Sequence, residues 1–152
     1  MTSKFKLILA TNKDKALLLA WRNEKTARLN SFDQKKITKK KHEIWFNKKI
    51  KKKNLIWIFK YNNKKCGMVK LEKKINKTEL GYLIQKNFRG KKFAEKMLTL
   101  FLKKYKKYVK KNDFLIAKSK KFNFKSNLSL INSGFKKYKE NKNYFTFRYD
   151  FK

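Results

Sequence analysis

One basic, glycine-containing turn, Arg89-Gly90-Lys91-Lys92-Phe93-Ala94, separates an apolar strand pattern ending at Ile84 from a long amphipathic helix pattern. A second short apolar run, Phe114 to Ala117, follows that helix. Strand, turn, helix and strand in this order make a crossover, which brings parallel neighbours into a sheet. The turn also has a chemical consequence. A helix that starts straight out of a glycine turn leaves free backbone N–H groups aimed at one spot, an arrangement that holds a pyrophosphate without a metal. The ligand it predicts carries a nucleotide, and an enzyme fits better than a scaffold.

The rest of the chain builds around that crossover. Lys4 to Ala10 alternates as a first strand, and Thr11 to Asp14 resembles a capping box opening a helix with Ala16, Leu17, Leu18, Ala20 and Trp21. Arg22 to Lys36 is polar and reads as irregular. Ile37-Thr38 starts a second helix, where His42, Trp45, Phe46 and Ile50 share one face, ending at Lys51-Lys52-Lys53-Asn54. Leu55 to Tyr61 and Cys66 to Glu72 are strands joined by the turn Asn62-Asn63-Lys64-Lys65, and Thr78 to Ile84 completes a meander after a turn at Asn76-Lys77. Ala94, Met97, Leu98, Phe101, Leu102, Tyr105 and Tyr108 mark the apolar stripe of the long helix. Asn123 to Ser133 reads as a short helix stopped by Gly134, and Phe135 to Glu140 pairs with Tyr144 to Phe151 as a final hairpin across Asn141-Lys142-Asn143. Phe145, Phe147, Tyr149 and Phe151 share one face of the last strand. The layout is α/β with a mixed sheet, and it puts the glycine turn at the carboxyl end of a strand, where such sheets bind ligands.

Composition narrows the partners. The net charge of +35 points towards nucleic acid, but nearly all of it is lysine, with arginine at Arg22, Arg28, Arg89 and Arg148 alone. Abundant Lys, Asn, Phe and Ile with no proline is what an AT-rich genome writes at tolerant surface positions, so the charge reads as a solvated surface and no specific nucleic-acid partner is expected. The field still attracts anionic small molecules. The single cysteine, Cys66, excludes an intramolecular disulfide and a cysteine zinc site, and no metal is expected. Leu7 to Ala10 is too short for a signal peptide, and no run is long enough to span a bilayer, so the chain reads as cytoplasmic with no membrane partner. The aromatic face of the last strand is compatible with a homodimer or with the core of a monomer.

With its motifs in place, the chain resembles the GNAT superfamily of N-acetyltransferases over essentially its whole length. That family's acetyl-CoA motif runs R/Q-x-x-G-x-G/A after the fourth strand; Arg89 and Ala94 fit it, and Lys92 stands where the central glycine is usual. A second landmark, an Asn after the fifth strand followed by a short helix and Gly-Phe, is matched by Asn123-Phe124-Lys125-Ser126 and Gly134-Phe135. The resemblance implies one domain over residues 1–152, with a mixed, mostly antiparallel twisted sheet of about seven strands flanked by about four helices. A narrower resemblance lies in Trp21-Arg22-Asn23, Arg28, Ser31, Ile37, His42, Trp45-Phe46 and Gly67, similar to the pattern of pseudaminic acid pathway nucleotide-sugar N-acetyltransferases, which serve flagellin and surface glycans. It implies acetylation of the 4-amino group of a UDP-linked 2-acetamido-4-amino-2,4,6-trideoxy sugar. The ribosomal-protein and peptide N-terminal acetyltransferases are the enzymatic alternative; a basic nucleic-acid-binding module is the non-enzymatic one.

The reaction needs a neutral amine, a polarised thioester carbonyl and a protonated leaving thiolate. The resemblance implies that backbone groups near Leu83 and Ile84 polarise the thioester where the strand splays from its neighbour. It also assigns Arg89, Gly90, Lys91, Lys92, Phe93 and Ala94 to the pyrophosphate and Asn123, with Ser126, to the pantetheine arm. Glu79 is a general base or a solvated strand carboxylate. His42, the only histidine, is a substrate contact or base, or a packed core residue. Trp21 and Trp45 stack on a uracil or pack in the core; Asn23 belongs to the resembled substrate pattern. Arg22 and Arg28 are arginines in a chain that otherwise uses lysine, which points to bidentate anion contacts. Leu130 stands where many relatives have an acidic tyrosine, leaving Ser126, Tyr138 or no dedicated acid to meet the thiolate.

Overall fold

The computed structural model describes residues 4–152; the expected domain, residues 1–152, begins three residues outside that range. A seven-stranded sheet runs in the order β1-β2-β3-β4-β5-β7-β6, with β1 (Phe5–Leu9), β2 (Ile56–Tyr61), β3 (Lys64–Lys73), β4 (Thr78–Ile84), β5 (Phe114–Lys120), β6 (Lys136–Glu140) and β7 (Tyr144–Asp150). All neighbours are antiparallel except β4 and β5. That parallel pair is the product of the crossover through α4 (Phe93–Tyr105), as the glycine turn predicts.

Helices cover the two faces unequally. Met97, Leu98, Phe101, Leu102 and Tyr105 of α4 are buried on one face against Val69, Leu71, Leu80 and Leu115, each such side chain stabilising the fold by roughly 1.5–3 kcal/mol. α5 (Phe124–Asn132) adds Leu130 to this core, and Phe147 and Phe151 of the last strand close it, with Phe145 and Tyr149 packed alongside. Phe147 and Phe151 of the hairpin are therefore core residues, while Phe145 and Tyr149 are half-buried and Tyr138 is exposed. Gly67 lets α4 come close: a Cβ there would stand 2.8 Å from Ile84 Cδ1 and 3.0 Å from Met97 Sδ.

The opposite face carries a smaller core of Leu18, Trp21, Phe46, Ile56, Ile58 and Met68, beneath α1 (Lys15–Asn23) and α3 (Lys39–Ile50). The capping box forms as expected: Thr11 accepts from the Lys13 N–H, and Asp14 accepts from the Thr11 N–H at 2.9 Å. Asp14 is buried and paired with Lys65 at 2.5 Å. The structure adds a helix where the sequence reads as irregular, α2 (Lys25–Leu29), so five α-helices flank the sheet instead of about four. α2 has no buried residue and no apolar stripe; it exists because Glu24 caps it by accepting from the Thr26 N–H. β5 also extends beyond Ala117 to Lys120, since β7 pairs with it over its full length.

Candidate active site

β4 and β5 are paired over three residues only, Thr78–Leu80 against Leu115–Ala117. Both strands continue, β4 to Ile84 and β5 to Lys120, but without pairing. The edge of β4 over residues 81–84 is thus unpaired towards β5, and its backbone polar groups open into a wedge. A thioester-bearing arm fits such a wedge because unpaired strand groups demand partners.

The turn at the wedge's mouth is built mostly from backbone. Gly90 has φ +80° and Lys92 φ +60°, both left-handed, and they turn the chain so that α4 starts at Phe93. A Cβ at Gly90 would meet nothing within 4 Å, so its requirement is conformational. Lys92 occupies a left-handed conformation that favours glycine, at a cost of about 1–2 kcal/mol for a side-chain-bearing residue. No side chain caps α4, and among the described residues no acceptor meets the backbone N–H groups of Lys91 to Glu95. Lys91 and Lys92 are exposed beside them. Phe93 faces inward, among Phe5, Tyr61 and Phe88, and anchors the helix start. Arg89 is a tie: its Nε donates to the Ile84 carbonyl at 2.9 Å and its Nη1 to Glu24 at 2.5 Å, joining the turn to the cap of α2. Burial works against the Glu24 carboxylate, yet the hydrogen bonds from Arg89 and the Thr26 and Ala27 backbone hold it below its ordinary range.

Asn123 caps α5, its Oδ1 accepting from the Ser126 N–H at 3.3 Å, which leaves the side-chain NH2 for another partner. Ser126 Oγ lies 2.6 Å from the Tyr82 hydroxyl, which also reaches the Ser126 carbonyl at 3.3 Å. This pair bridges β4 to α5 beside the wedge. Burial pushes the Tyr82 phenol up to about 12, with the Ser126 hydrogen bond opposing, so it stays neutral. The sequence reading missed Tyr82; its signal was a hydroxyl on a strand otherwise apolar between Leu80 and Ile84. Tyr138 is not part of this group. It is exposed on the edge strand β6, next to Arg148 and two strands beyond β5, roughly 10 Å away at the usual strand spacing.

The other face holds the residues of the narrower pattern. Asn23 clamps the Ile37 backbone in both directions at 2.8 Å, donating from Nδ2 and accepting at Oδ1. Arg28 donates to the Asn23 carbonyl at 3.1 Å and to that of Gln34 at 3.4 Å. Arg22 donates from Nη2 to the Asp33 carbonyl at 2.7 Å, while its Nη1 is buried without a partner. These three side chains hold the polar segment 30–37 over the sheet. Trp21 is a core residue, 7% exposed. Trp45 is half-buried, with the Lys70 ammonium 5.3 Å from its ring. His42, 4% exposed, packs against Trp45 and Phe46 and borders a cavity of about 300 Å³ with Leu19, Ala20, Asn23 and Glu43. Burial, then the charges of Lys15 and Lys70, push its imidazole below the ordinary value, so it is neutral near pH 7.

Glu79 is on this face with three lysines around it: Lys74 at 3.2 Å, Lys77 at 3.4 Å and Lys118 at 3.5 Å. Although burial raises it, the Lys74 hydrogen bond and the Lys118 and Lys74 charges hold the carboxyl below its ordinary range. A carboxylate held so is a weak base. Lys70 was missed altogether: it pairs with Gly81 across β3 and β4, and its stem lies so close that a Cβ on Gly81 would stand 3.0 Å from Lys70 Cε.

A sheet parted beside an uncapped helix N-terminus, with a polar basin on the opposite face, is an arrangement a group-transfer enzyme can use, with room for an anionic nucleotide on one side and an acceptor on the other. A family profile described as acetyltransferase (GNAT) domain matches residues 4–136, and the chain belongs to that family. It is an acetyl-CoA-dependent N-acetyltransferase of the GNAT type. Among solved structures, a domain from Methanocaldococcus jannaschii is 26% identical over 98% of this chain and 99% of its own, with a TM-score of 0.82. An N-acetyltransferase from Staphylococcus aureus is 20% identical over 99% and 100%, at 0.79. Spermidine N-acetyltransferase from Vibrio cholerae, in complex with CoA and spermine, is 17% identical over 99% and 97%, at 0.84. The last two likenesses are of fold alone. No curated protein matches the chain. Among the described residues, no cluster of His, Cys, Asp and Glu is arranged for a metal, and no helix is long and apolar enough to cross a membrane.

Proposed function

We propose that the acceptor is the 4-amino group of a UDP-linked amino-deoxy sugar, with acetyl-CoA as donor. The observation that carries this reading is a convergence. Arg22 stands on α1 and the His42–Trp45 pair on α3, yet both helices bring them around Lys70 of β3, where Arg22 bears on the Lys70 charge and Lys70 on that of His42. The pattern that resembles nucleotide-sugar acetyltransferases thus gathers on one side of β3 and β4, opposite the α4 face.

In this reading, the amide groups of residues 91–95 take the pyrophosphate, helped by Lys91 and Lys92 as exposed charges, while Arg89, Gly90 and Phe93 shape the turn and Ala94 continues it. The Asn123 NH2 and the edge of β4 near Leu83 and Ile84 take the pantetheine arm and polarise the thioester carbonyl. The acceptor amine attacks that carbonyl, the carbon–sulfur bond breaks, and the amine's proton leaves. Neutral His42 takes it, directly or through water in the cavity it borders. Ser126, fixed by Tyr82, is the hydroxyl at the wedge that meets the departing thiolate. Glu79 stays ionised as part of the basin's charge pattern. Trp45 offers the acceptor an aromatic face.

Free-thiol release tests the assignment. With acetyl-CoA and the UDP-4-amino sugar together, thiol should appear at a rate set by both; with peptides or polyamines in its place it should not. Turnover of peptide N-termini without turnover of the UDP-sugar would move the enzyme to the ribosomal-protein type.

A further inference from the structure

Among the described residues, two cations of the basin have no carboxylate in ion-pair contact. Arg22 Nη1 is buried and makes no hydrogen bond, although Nη2 of the same guanidinium is held at the Asp33 carbonyl, 2.7 Å away. Lys70 lies across Gly81 with its ammonium over Trp45 and no hydrogen-bond acceptor among the described residues. The acids whose charges reach them, Asp33 for Arg22 and Glu72 for Lys70, do so without ion-pair contact. Glu72 is ion-paired with Lys49, and the Asp33 carboxylate accepts from the Lys35 N–H at 3.0 Å. Among the described residues, neither Arg22 nor Lys70 has a carboxylate oxygen within 4 Å. Half-buried cations on one face of the sheet repel and lose hydration, which favours an anion that would complete them. Burial, then the Arg22 charge, depress Lys70 while Glu72 opposes, and burial depresses Arg22 while Asp33 opposes.

We propose that Arg22 and Lys70 form an anion seat within the acceptor basin, binding the phosphate or carboxylate group of the acceptor and excluding polyamines. This rests on the reading of that face as the acceptor side and adds the chemistry that selects the acceptor. Arg22 supplies a fixed donor aimed by its bond to Asp33; Lys70 supplies a point charge on a stem held between Gly81 and Trp45. A polycation such as spermidine would meet both of these charges, while the acids on this face, Glu43 and Glu79, are already paired with lysines. The seat was concealed in the sequence because one more lysine in a chain with 45 Lys and Arg residues carries no signal of its own.

The test uses the full chain saturated with CoA, so that the pyrophosphate cradle is filled and any further anion must bind elsewhere. UDP, succinate and spermidine are titrated separately by calorimetry. UDP is expected to bind, spermidine is not, and Lys70→Met and Arg22→Gln should each weaken UDP about tenfold or more while CoA affinity stays unchanged. Lys70→Met keeps the stem and breaks no backbone hydrogen bond, so it remains informative if Arg22→Gln loosens the 30–37 segment. Succinate binding that depends on Lys70, with no UDP binding, upholds the seat and assigns it to a carboxylate acceptor. UDP binding with the expected variant losses but no acetylation of the UDP-4-amino sugar also upholds the seat while refuting that sugar as acceptor. UDP binding that Lys70→Met leaves intact, or spermidine binding to the wild type, overturns the proposal. So does acetylation of the UDP-sugar that neither variant changes.

Discussion

The two faces of the sheet solve their binding problems with different materials. On the α4 side, the proposed donor cradle is an uncapped helix N-terminus, two left-handed residues and an unpaired strand edge, so its chemistry would belong to the backbone. On the α1–α3 side, the proposed acceptor basin is made of side chains, Arg22, His42, Trp45 and Lys70 with Glu79 on the same face, while Asn23 and Arg28 hold the neighbouring 30–37 segment. A backbone site tolerates drift in its side chains, which is how Lys92 can stand where a glycine is usual. A side-chain site does not, and the acceptor side should be the more sensitive to single substitutions.

The sharpest break in that contrast comes from His42. His42→Gln should lower kcat/KM by about a hundredfold while leaving acetyl-CoA affinity unchanged. Because the folded imidazole titrates below the ordinary value of about 6.5, wild-type activity should persist below that pH and then fall along an acid limb that the variant lacks. An unchanged rate and profile would make His42 a packing residue. Asn23→Ala comes next. It removes both bonds to Ile37, and chemical denaturation should show a loss of about 2 kcal/mol; a loss near zero would mean the clamp does not hold the 30–37 segment.

Lys92→Gly should act in the opposite sense, stabilising the protein by about 1 kcal/mol through relief of the left-handed backbone. The smallest effect concerns the tie between the two regions. Glu24 is held below its unfolded value, so its contribution is full above about pH 4.3 and is lost as the pH falls through the folded value. Glu24→Gln should remove that part of the acid dependence, an effect within about 1 kcal/mol because the pair is partly solvated. Stability curves of the two proteins that differ only by a constant offset would show the tie to be without weight.

The same contrast explains what the sequence made legible. Periodicity exposed the strands and α4, because Met97, Leu98, Phe101 and Leu102 recur at helical spacing and β4 is bounded by turns. The glycine turn was readable because backbone sites leave a local signature: a glycine, a break and a helix start. α2 was not readable; five residues without an apolar stripe form a helix only with a cap tied across the fold to Arg89. On the α1–α3 side, residue types were visible but roles were not. Asn23 and Arg28 look like ligands and are clamps, Trp21 is core, and Arg22 is both an anchor and an open donor. Lys70 gains its meaning from Gly81 on the neighbouring strand and Trp45 on α3, contacts that no local pattern records.

The central claim, that backbone groups at the start of α4 seat the donor, is tested most directly by calorimetric titration of acetyl-CoA into a Lys91→Ser/Lys92→Gly double variant. Removing both exposed charges while keeping the amides should leave the affinity within about threefold of wild type, with most of that change in its salt dependence. A fall of about thirtyfold or more would show that lysine side chains, and not the backbone, hold the pyrophosphate.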